Sequence, residues 1–472
     1  MKNGLVYFAA FASVLALSAL WSCQKDNGEE GKTTPEAPTA ITLSTESISA
    51  ERAGGDFPVT VTAPERPSVS AKPDWVSVVD GTYNKETFKI TFTLKVAAYS
   101  SYGDRTGDVT IKSGDLTKIL KISQKGREKV SVSLDANLTN ANASAQAKKV
   151  YAFLLEQNGE KILSGVQSGG TANNNERVNQ IYRLTGKHPA LAGYDYIFLQ
   201  YSPTPAGWSW VVNYADISAP KEQWENNGLV SFMWHWNVPN SKADWDKGKE
   251  GNFDGYNFYS DKTSFSILNA LTSGTWENDF ILQDIEKVAG YLKLLQDEGI
   301  PVIWRPLHEA AGNYNLYGKT NNAWFWWGRG GAEACKQLWK LLRDKLEGEY
   351  GLNNLIWVWT LDATPGAESE WASWYPGNDL VDIVGVDIYA NDTNAKSYQY
   401  QAAVALSGGR KMVTVSECGN IPNPANCFEE DQAWSWFLTW DLESYPLNTN
   451  DYWKQLMTSS QVLTRESMPS LK

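Results

Sequence analysis

Histidine is scarce in this chain, with three in 472 residues, and cysteine is nearly as rare, with four. The cysteines Cys23, Cys335, Cys418 and Cys427 form no CxxC pair and do not cluster with His188, His235 or His308. That spacing argues against a zinc site, and neither a metal nor a cofactor is expected. Positive charge is also short. Against 54 Asp+Glu stand 42 Lys+Arg, a net charge of −12, so no phosphate-neutralising excess exists and nucleic acid is excluded as a partner. The acidic balance instead keeps an extracellular protein soluble. The apolar run from Leu5 to Leu20 is too short for a comfortable membrane span, and with Lys2 before it the segment reads as a secretory signal. A chain of this length exceeds one hydrophobic core, so two or three folded units are expected.

The signal ends in Leu20-Trp21-Ser22-Cys23, which resembles a bacterial lipobox. The resemblance implies that residues 1–22 are removed and that Cys23 carries lipid, anchoring the protein stably. Gln24-Lys25-Asp26 with Glu29 and Glu30 is similar to the export tag of Bacteroidetes-type surface lipoproteins. An outer-membrane location facing the cell surface follows, with the periplasmic face as the alternative. Residues 23–39 are polar, with Gly, Thr and Pro, and read as a flexible tether.

From residue 40 to 126 the pattern becomes short alternating segments such as Phe88-x-Ile90-x-Phe92-x-Leu94-x-Val96, separated by turn signals such as Asp80-Gly81. Period-2 runs at this spacing indicate a small all-β, immunoglobulin-like sandwich. Pro73-Asp74-Trp75-Val76, Arg105-Thr106-Gly107-Asp108-Val109 and Ile122-Ser123-Gln124 resemble the BACON family of N-terminal modules. The module is either a glycan binder or a plain spacer, folds independently and is not required for chemistry; Trp75 reads as core.

After a second polar stretch to about residue 143 the composition changes again. Tryptophan, sparse until then, becomes abundant: of 22 in the chain, only Trp21 and Trp75 precede residue 126. Apolar runs alternate with helical patterns through residues 144–472. The expected strands are Ile162–Val166, Tyr194–Leu199, Leu229–Trp234, Pro301–Arg305, Leu355–Trp359, Val381–Val386, Met412–Ser416 and Ala433–Trp440. Asp279–Glu298 and Gly331–Leu346 show the i, i+3, i+4 spacing of helices. Eight such repeats predict an α/β fold of the (β/α)8 TIM-barrel type.

In a barrel of this kind reactive groups sit at the C-terminal ends of strands. The fourth strand ends in Glu309 and the seventh in Glu417, each a carboxylate closing an apolar run. Singly, either is a solvated strand end; together in one mouth they are what glycosidic cleavage requires. His235, in Trp234-His235-Trp236, and His308, beside Glu309, stand at strand ends among aromatics and suit contacts with substrate or carboxylate. His188 reads as structural. Sugars present apolar C–H faces as well as hydroxyls, so Trp324-Phe325-Trp326-Trp327, Trp357-x-Trp359 and Trp434-x-Trp436-x-x-x-Trp440 supply candidate platforms, about half of them expected at the ligand. Asp387 and Tyr389 end the sixth strand, where a tyrosine can orient the nucleophile. Cys418 and Cys427 are close enough in sequence to pair as a disulfide, whereas Cys335 lies in a helical pattern and reads as buried.

Arg305-Pro306-Leu307-His308-Glu309, Phe325-Trp326-Trp327-Gly328, Trp374-Tyr375-Pro376-Gly377, the run Val381 to Tyr389 and Ser416-Glu417-x-Gly419 resemble glycoside hydrolase family 26. Thr185-Gly186-Lys187-x-Pro189-Ala190-Leu191 does so as well. The resemblance spans about residues 144 to 460 and implies β-mannanase activity with retention of configuration. It assigns Glu309 as acid/base and Glu417 as nucleophile, with His308 as the acid/base's neighbour, His235 as a glycone-side contact and Asp387 and Tyr389 beside the nucleophile; apart from the resemblance, Tyr314, Trp326, Trp327 and Trp440 are also expected at the substrate. Retention further implies a raised pKa for Glu309, expected chiefly from the charge of Glu417. Two departures leave the subsites open: the long link Ala310 to Trp324, with Asn313, Tyr314, Asn315 and Tyr317, and Thr360-Leu361-Asp362 where the family tends to show Asn.

The primary expectation is therefore an endo-acting enzyme on mannan, glucomannan or galactomannan, working as a monomer. The alternatives are a same-fold β-glucanase, xylanase or exo-acting mannobiohydrolase and, in a different class, a non-catalytic surface glycan-binding lipoprotein. The intact pair of glutamates disfavours the last.

Overall fold

The computed structural model describes residues 36–169, 173–204, 211–315, 322–364 and 368–472. Cys23 and Tyr317 lie outside the described residues. The chain forms two compact units, one of the residues up to Tyr99 with Arg105–Lys125, the other of Ser100–Asp104 with Gly126–Lys472.

The first unit is a sandwich of two four-stranded sheets. One holds β1 (Thr42–Leu43), β3 (Gly55–Thr62), β6 (Lys89–Val96) and β5 (Val76–Asp80) in that order. The other holds β2 (Ser47–Ala50), β8 (Leu116–Gln124), β7 (Arg105–Ser113) and β4 (Ser68–Ala71). Strand alternation builds the core directly: Ile90, Phe92, Leu94 and Val96 of β6 point inward and are buried, with Val59, Val61, Val109, Ile111, Leu120 and Ile122 from their neighbours. Trp75 packs against this core, and its ring carries the Arg105 guanidinium at 4.3 Å.

The second unit is a parallel barrel. Its strands are β9 (Ile162–Gln167), β10 (Leu191–Asp195) and β11 (Leu229–Trp234), followed by β14 (Val302–Pro306) through β18. These last are β15 (Leu355–Asp362), β16 (Ile383–Ile388), β17 (Met412–Cys418) and β18 (Trp436–Thr439). They follow one another around the barrel, and β9 pairs with both β18 and β10 to close it. A short ribbon of β12 (Val238–Pro239) with β13 (Tyr256–Asn257) follows β11, and β19 (Val462–Leu463) pairs with the start of β9. Barrel strands are buried on both faces, which is why they read as continuous apolar runs. Helices cover the outside. In Trp276–Asp297 the Thr275 hydroxyl caps the Asn278 N–H at 3.1 Å, and Phe280, Ile281, Ile285, Val288, Leu292 and Leu295 form one apolar face.

Several strand bounds shift from expectation: the fifth extends to Asp362, and the sixth runs Ile383–Ile388. The second runs Leu191–Asp195 instead of Tyr194–Leu199, because Asp195 turns its carboxylate to the His235 N–H and Leu199 opens a 3-10 turn. The eighth shortens to Trp436–Thr439. The cysteine expectation also divides: Cys335, Cys418 and Cys427 are all buried free thiols, so no Cys418–Cys427 bond forms.

Residues 126–143, the second polar stretch, belong to the barrel. The Asp135 carboxylate binds Lys411 at 2.8 Å and Arg410 at 2.9 Å, and Thr139 gives both its N–H and its hydroxyl to Asp382 at 2.7 Å. Lys411 is 2 % exposed, so removing its partner strands a buried charge. Asp135→Ala is expected to cost about 3 kcal/mol, read as a lower urea midpoint. A chain starting near residue 130 should match the full chain's barrel stability, while one starting at 144 should share the defect.

Candidate active site

Arg305 lies mid-strand in β14 among Val302, Ile303 and Trp304, 4 % exposed. A buried guanidinium requires acids, and two neighbouring strands supply them. Arg305 Nη1 donates to Asp387 Oδ2 at 3.0 Å, and Nη2 donates to Glu417 Oε1. The other oxygen of Glu417 accepts the Tyr389 hydroxyl at 2.6 Å and the Trp440 indole N–H at 2.7 Å. Residues from strands four, six and seven, with Trp440 just beyond strand eight, thus converge on one carboxylate.

A local irregularity makes this possible. The β16–β17 register slips so that Val386 faces Val415 but Asp387 faces Glu417, leaving Ser416 as an extra residue. This bulge re-aims side chains that strict alternation would send to opposite faces. Ser416 Oγ donates to Asp387 Oδ1 at 3.0 Å while Glu417 also reaches the cluster. Gly385 leaves the space for it: a Cβ there would stand 2.3 Å from Ser416 Oγ and 2.7 Å from Thr360 Oγ1. At the end of β14, Leu307 and Glu309 adopt positive φ of 52° and 50°. Such left-handed non-glycine residues cost energy and persist where surrounding bonds fix them; the Glu309 N–H donates to Thr360 O at 3.2 Å.

The two glutamates differ in proton affinity. Burial alone would raise Glu417, but Arg305, the Tyr389 hydroxyl, His235 and Trp440 outweigh it and hold the carboxyl below its usual range. Glu309 stands well above the usual range. Burial is the first cause, followed by the charges of Asp387, Glu417 and Asp362. The expectation that Glu417 dominates is therefore corrected: burial leads, and Asp387 precedes Glu417. Burial, then the Glu417 charge, also raise Tyr389, so its phenol keeps the proton it donates.

His235 is gripped by Asp195, which accepts its N–H at 3.1 Å and meets Nδ1 at 2.6 Å. The His308 ring stands edge-on at 4.6 Å from His235. Burial, then the Arg305 charge, lower the His308 pKa well below normal and keep the ring neutral. His188 binds Glu466 away from these groups.

A cleft of about 660 Å³ opens over this mouth, lined by Glu309, Asp387 and Tyr389, by Tyr259, Trp324 and Phe325, and by Asp362, Thr364 and Gln399. Trp326 and Trp327, expected at the substrate, are fully buried instead. Trp326 donates to Trp236 O at 2.7 Å and Trp327 to His308 O at 2.9 Å, so they hold the backbone beside the two histidines. Trp357, Trp359, Trp434 and Trp436 are likewise buried, so among the candidate platforms Trp324 and Phe325 line the cleft and Trp440 stays partly exposed. Tyr314 does not line the cleft; it packs edge-on to Trp374 at 5.1 Å. Sequence reasoning passed over Arg305, Asp195, Tyr259 and Asp362. The charged Arg305 inside an apolar strand was a usable signal; Tyr259, in a loop 46 % exposed, had none.

The raised Glu309 makes a stability prediction. A carboxyl whose folded pKa exceeds its unfolded value contributes stability below about pH 4.5 that is lost as pH rises toward the folded value, at about 1.4 kcal/mol per unit. Glu309→Gln should match the wild type in acid and gain in melting temperature as pH rises through neutrality.

The family model for glycosyl hydrolase family 26 matches residues 139–467, and the BACON model matches residues 41–125. Mannan endo-1,4-beta-mannosidase A of Piromyces sp is 36% identical over 353 residues, covering 72% of this chain and 52% of its own. The chain thus spans about half the length of that relative. The mannan endo-1,4-beta-mannosidase of Thermothelomyces thermophilus is 34% identical, covering 71% of this chain and 64% of its own. Among solved structures, the GH26 domain of an endo-beta-mannanase/endo-beta-glucanase from Prevotella bryantii shares 35% identity at TM-score 0.62, covering 71% of this chain and 99% of that one. A beta-mannanase from a symbiotic protist of the termite Reticulitermes speratus, complexed with gluco-manno-oligosaccharide, shares 34% at TM-score 0.59, covering 72% and 99%.

Proposed function

Because the chain belongs to glycosyl hydrolase family 26, we propose that it is a retaining endo-β-1,4-mannanase acting on mannan, glucomannan or galactomannan. The observation that carries the reading is the divergence of its two mouth carboxyls, one held ionised by Arg305, Tyr389 and Trp440, the other held protonated by burial and negative neighbours. An acid and a nucleophile need that difference. Relatives named as mannan endo-1,4-beta-mannosidases and a neighbour holding gluco-manno-oligosaccharide support the substrate class.

In the first step Glu309 protonates the glycosidic oxygen while Glu417 attacks the anomeric carbon, giving a mannosyl ester on Glu417 and a free leaving-group sugar. In the second, Glu309 takes a proton from water, the water oxygen bonds the anomeric carbon, and the ester opens. Esterification removes the Glu417 charge and so makes the ionised state of Glu309 easier to reach. Tyr259, Trp324 and Phe325 offer the aromatic wall for sugar rings.

The initial product observed by proton NMR should be the β-anomer; an initial α-anomer would refute retention. Glu417→Ala should abolish turnover on every substrate. Glu309→Ala should keep activity on dinitrophenyl glycosides, show a burst, and be accelerated by azide with retained configuration. A same-fold preference for β-glucan or xylan would appear as faster release from those polymers, assayed side by side with mannan.

We also propose that the enzyme acts as a monomer held at the cell surface by lipid on Cys23, a reading supported by Leu20-Trp21-Ser22-Cys23. Cys23→Ala should move it from the membrane fraction to the soluble fraction; retention in the membrane would sink the anchor.

A further inference from the structure

The mouth holds one buried contact that the acid and the nucleophile do not use. Asp195 closes β10 and is 3 % exposed, so its carboxyl requires partners. It finds both on His235, one residue beyond β11: Oδ1 accepts the backbone N–H at 3.1 Å and Oδ2 meets ring Nδ1 at 2.6 Å. The strand ends beneath are tied as well. The Asp195 N–H donates to Asn173 Oδ1 at 3.1 Å, and the Tyr196 N–H donates to Met233 O at 3.1 Å. Asp195 stands level with Met233 in the β10–β11 register, and His235 follows Met233 by two residues, on the same face.

A grip at two points fixes both the rotation of the imidazole and its proton. An imidazole nitrogen is a stronger base than a carboxylate, so the proton between Oδ2 and Nδ1 resides on Nδ1, whether the ring is neutral or charged. A half-turn of the ring would set a C–H against Oδ2 and lose the bond. Nε2 is therefore the nitrogen left to meet substrate. The ring stands edge-on to His308 at 4.6 Å and 6.1 Å from Trp440, whose indole is bonded to Glu417. It lies near enough to Glu417 to share in holding that carboxyl below its usual range. Its backbone is braced from the other side: the Trp236 indole donates to Asp284 at 2.9 Å, and the Trp236 carbonyl accepts the Trp326 indole at 2.7 Å. With the backbone so fixed, the rotation of the ring falls to Asp195.

We propose that Asp195 is a positioning residue: it holds the His235 ring by Nδ1, so that Nε2 and not a ring C–H meets the sugar bound at the nucleophile. The proposal deepens the reading of this mouth as a glycosidase site and rests on it. Sugar hydroxyls both donate and accept, so Nε2 engages one as acceptor in the neutral ring and as donor in the charged one. A ring free to turn would offer carbon part of the time. Its hydrogen bond would then be missing from the transition state as well as from the bound substrate.

The ring nitrogens are the first test, in the ligand-free protein. The chain has three histidines, so nitrogen-labelled histidine gives few signals by NMR, and His235→Ala with His188→Gln assigns them. The wild type should carry a proton on Nδ1 of His235. Asp195→Asn should remove it: the amide oxygen keeps the His235 N–H, its NH2 turns to Nδ1, and the ring proton moves to Nε2. A bare Nδ1 in the wild type, or one still protonated in Asp195→Asn, overturns the proposal. The wild-type signal decides by itself should Asp195→Asn not fold. Kinetics on soluble mannan are the second test. Asp195→Asn should lower kcat/KM by about tenfold, the worth of one hydrogen bond, and His235→Ala by at least as much. In the His235→Ala background Asp195→Asn should cost nothing further, because it acts through that ring; an equal loss there marks a merely structural role and overturns the proposal. Should the wild type hydrolyse no β-glycan, the glycosidase reading fails, while the ring nitrogens still decide whether Asp195 fixes His235.

Discussion

The Arg305 guanidinium is the interaction around which the barrel mouth is organised. It is buried, so it demands anions, and it takes one from each of two strands, Asp387 of β16 and Glu417 of β17. Removing either partner would leave charge uncompensated in a dry site, a loss of several kcal/mol. This single group therefore fixes the position of one carboxylate and lowers its proton affinity. It leaves Glu309, on the same segment but outside the pairing, to experience net negative surroundings. Two identical side chains acquire opposite protonation states because one cation is shared unequally among the acids.

Strand geometry has to yield for that sharing to occur. The extra Ser416 in β17, the missing side chain at Gly385 and the positive φ of Leu307 and Glu309 all lie within the residues that bring the carboxyls together. Regular parallel pairing would alternate Ser416 and Glu417 to opposite faces. The departures concentrate where the chemistry is, as expected when strain is held by the surrounding bonds.

The tryptophans divide by the same logic. An indole buries a large apolar area and keeps one N–H that needs an acceptor. Trp326 and Trp327 satisfy theirs on Trp236 O and His308 O, so they anchor the backbone carrying the two histidines. Trp440 satisfies its N–H on Glu417 itself. Trp324 keeps a face toward the cleft. Aromatic richness thus serves scaffold first and substrate second.

How much of this could be read beforehand follows from what each inference needed. Long apolar runs alternating with helical spacing dictated the barrel, because strands buried on both faces admit little else, and the period-2 runs dictated the sandwich. Glu309 and Glu417 stood out because an acid ending an apolar run is costly without a purpose. The failures share one cause: they depended on neighbours distant in sequence. Whether Trp326 or Trp324 meets the cleft turns on which strand end each loop packs over. Residues 126–143 stood out only as a polar stretch, because Asp135 and Thr139 find Lys411 and Asp382 only after folding. The state of Cys418 and Cys427 depended on where each thiol is buried. The sequence by itself determined the architecture and the acid pair, since periodicity and misplaced charge are local signals. Only the tertiary structure decided which carboxyl holds the proton, because that depends on Arg305, Asp387 and Asp362 meeting from three strands.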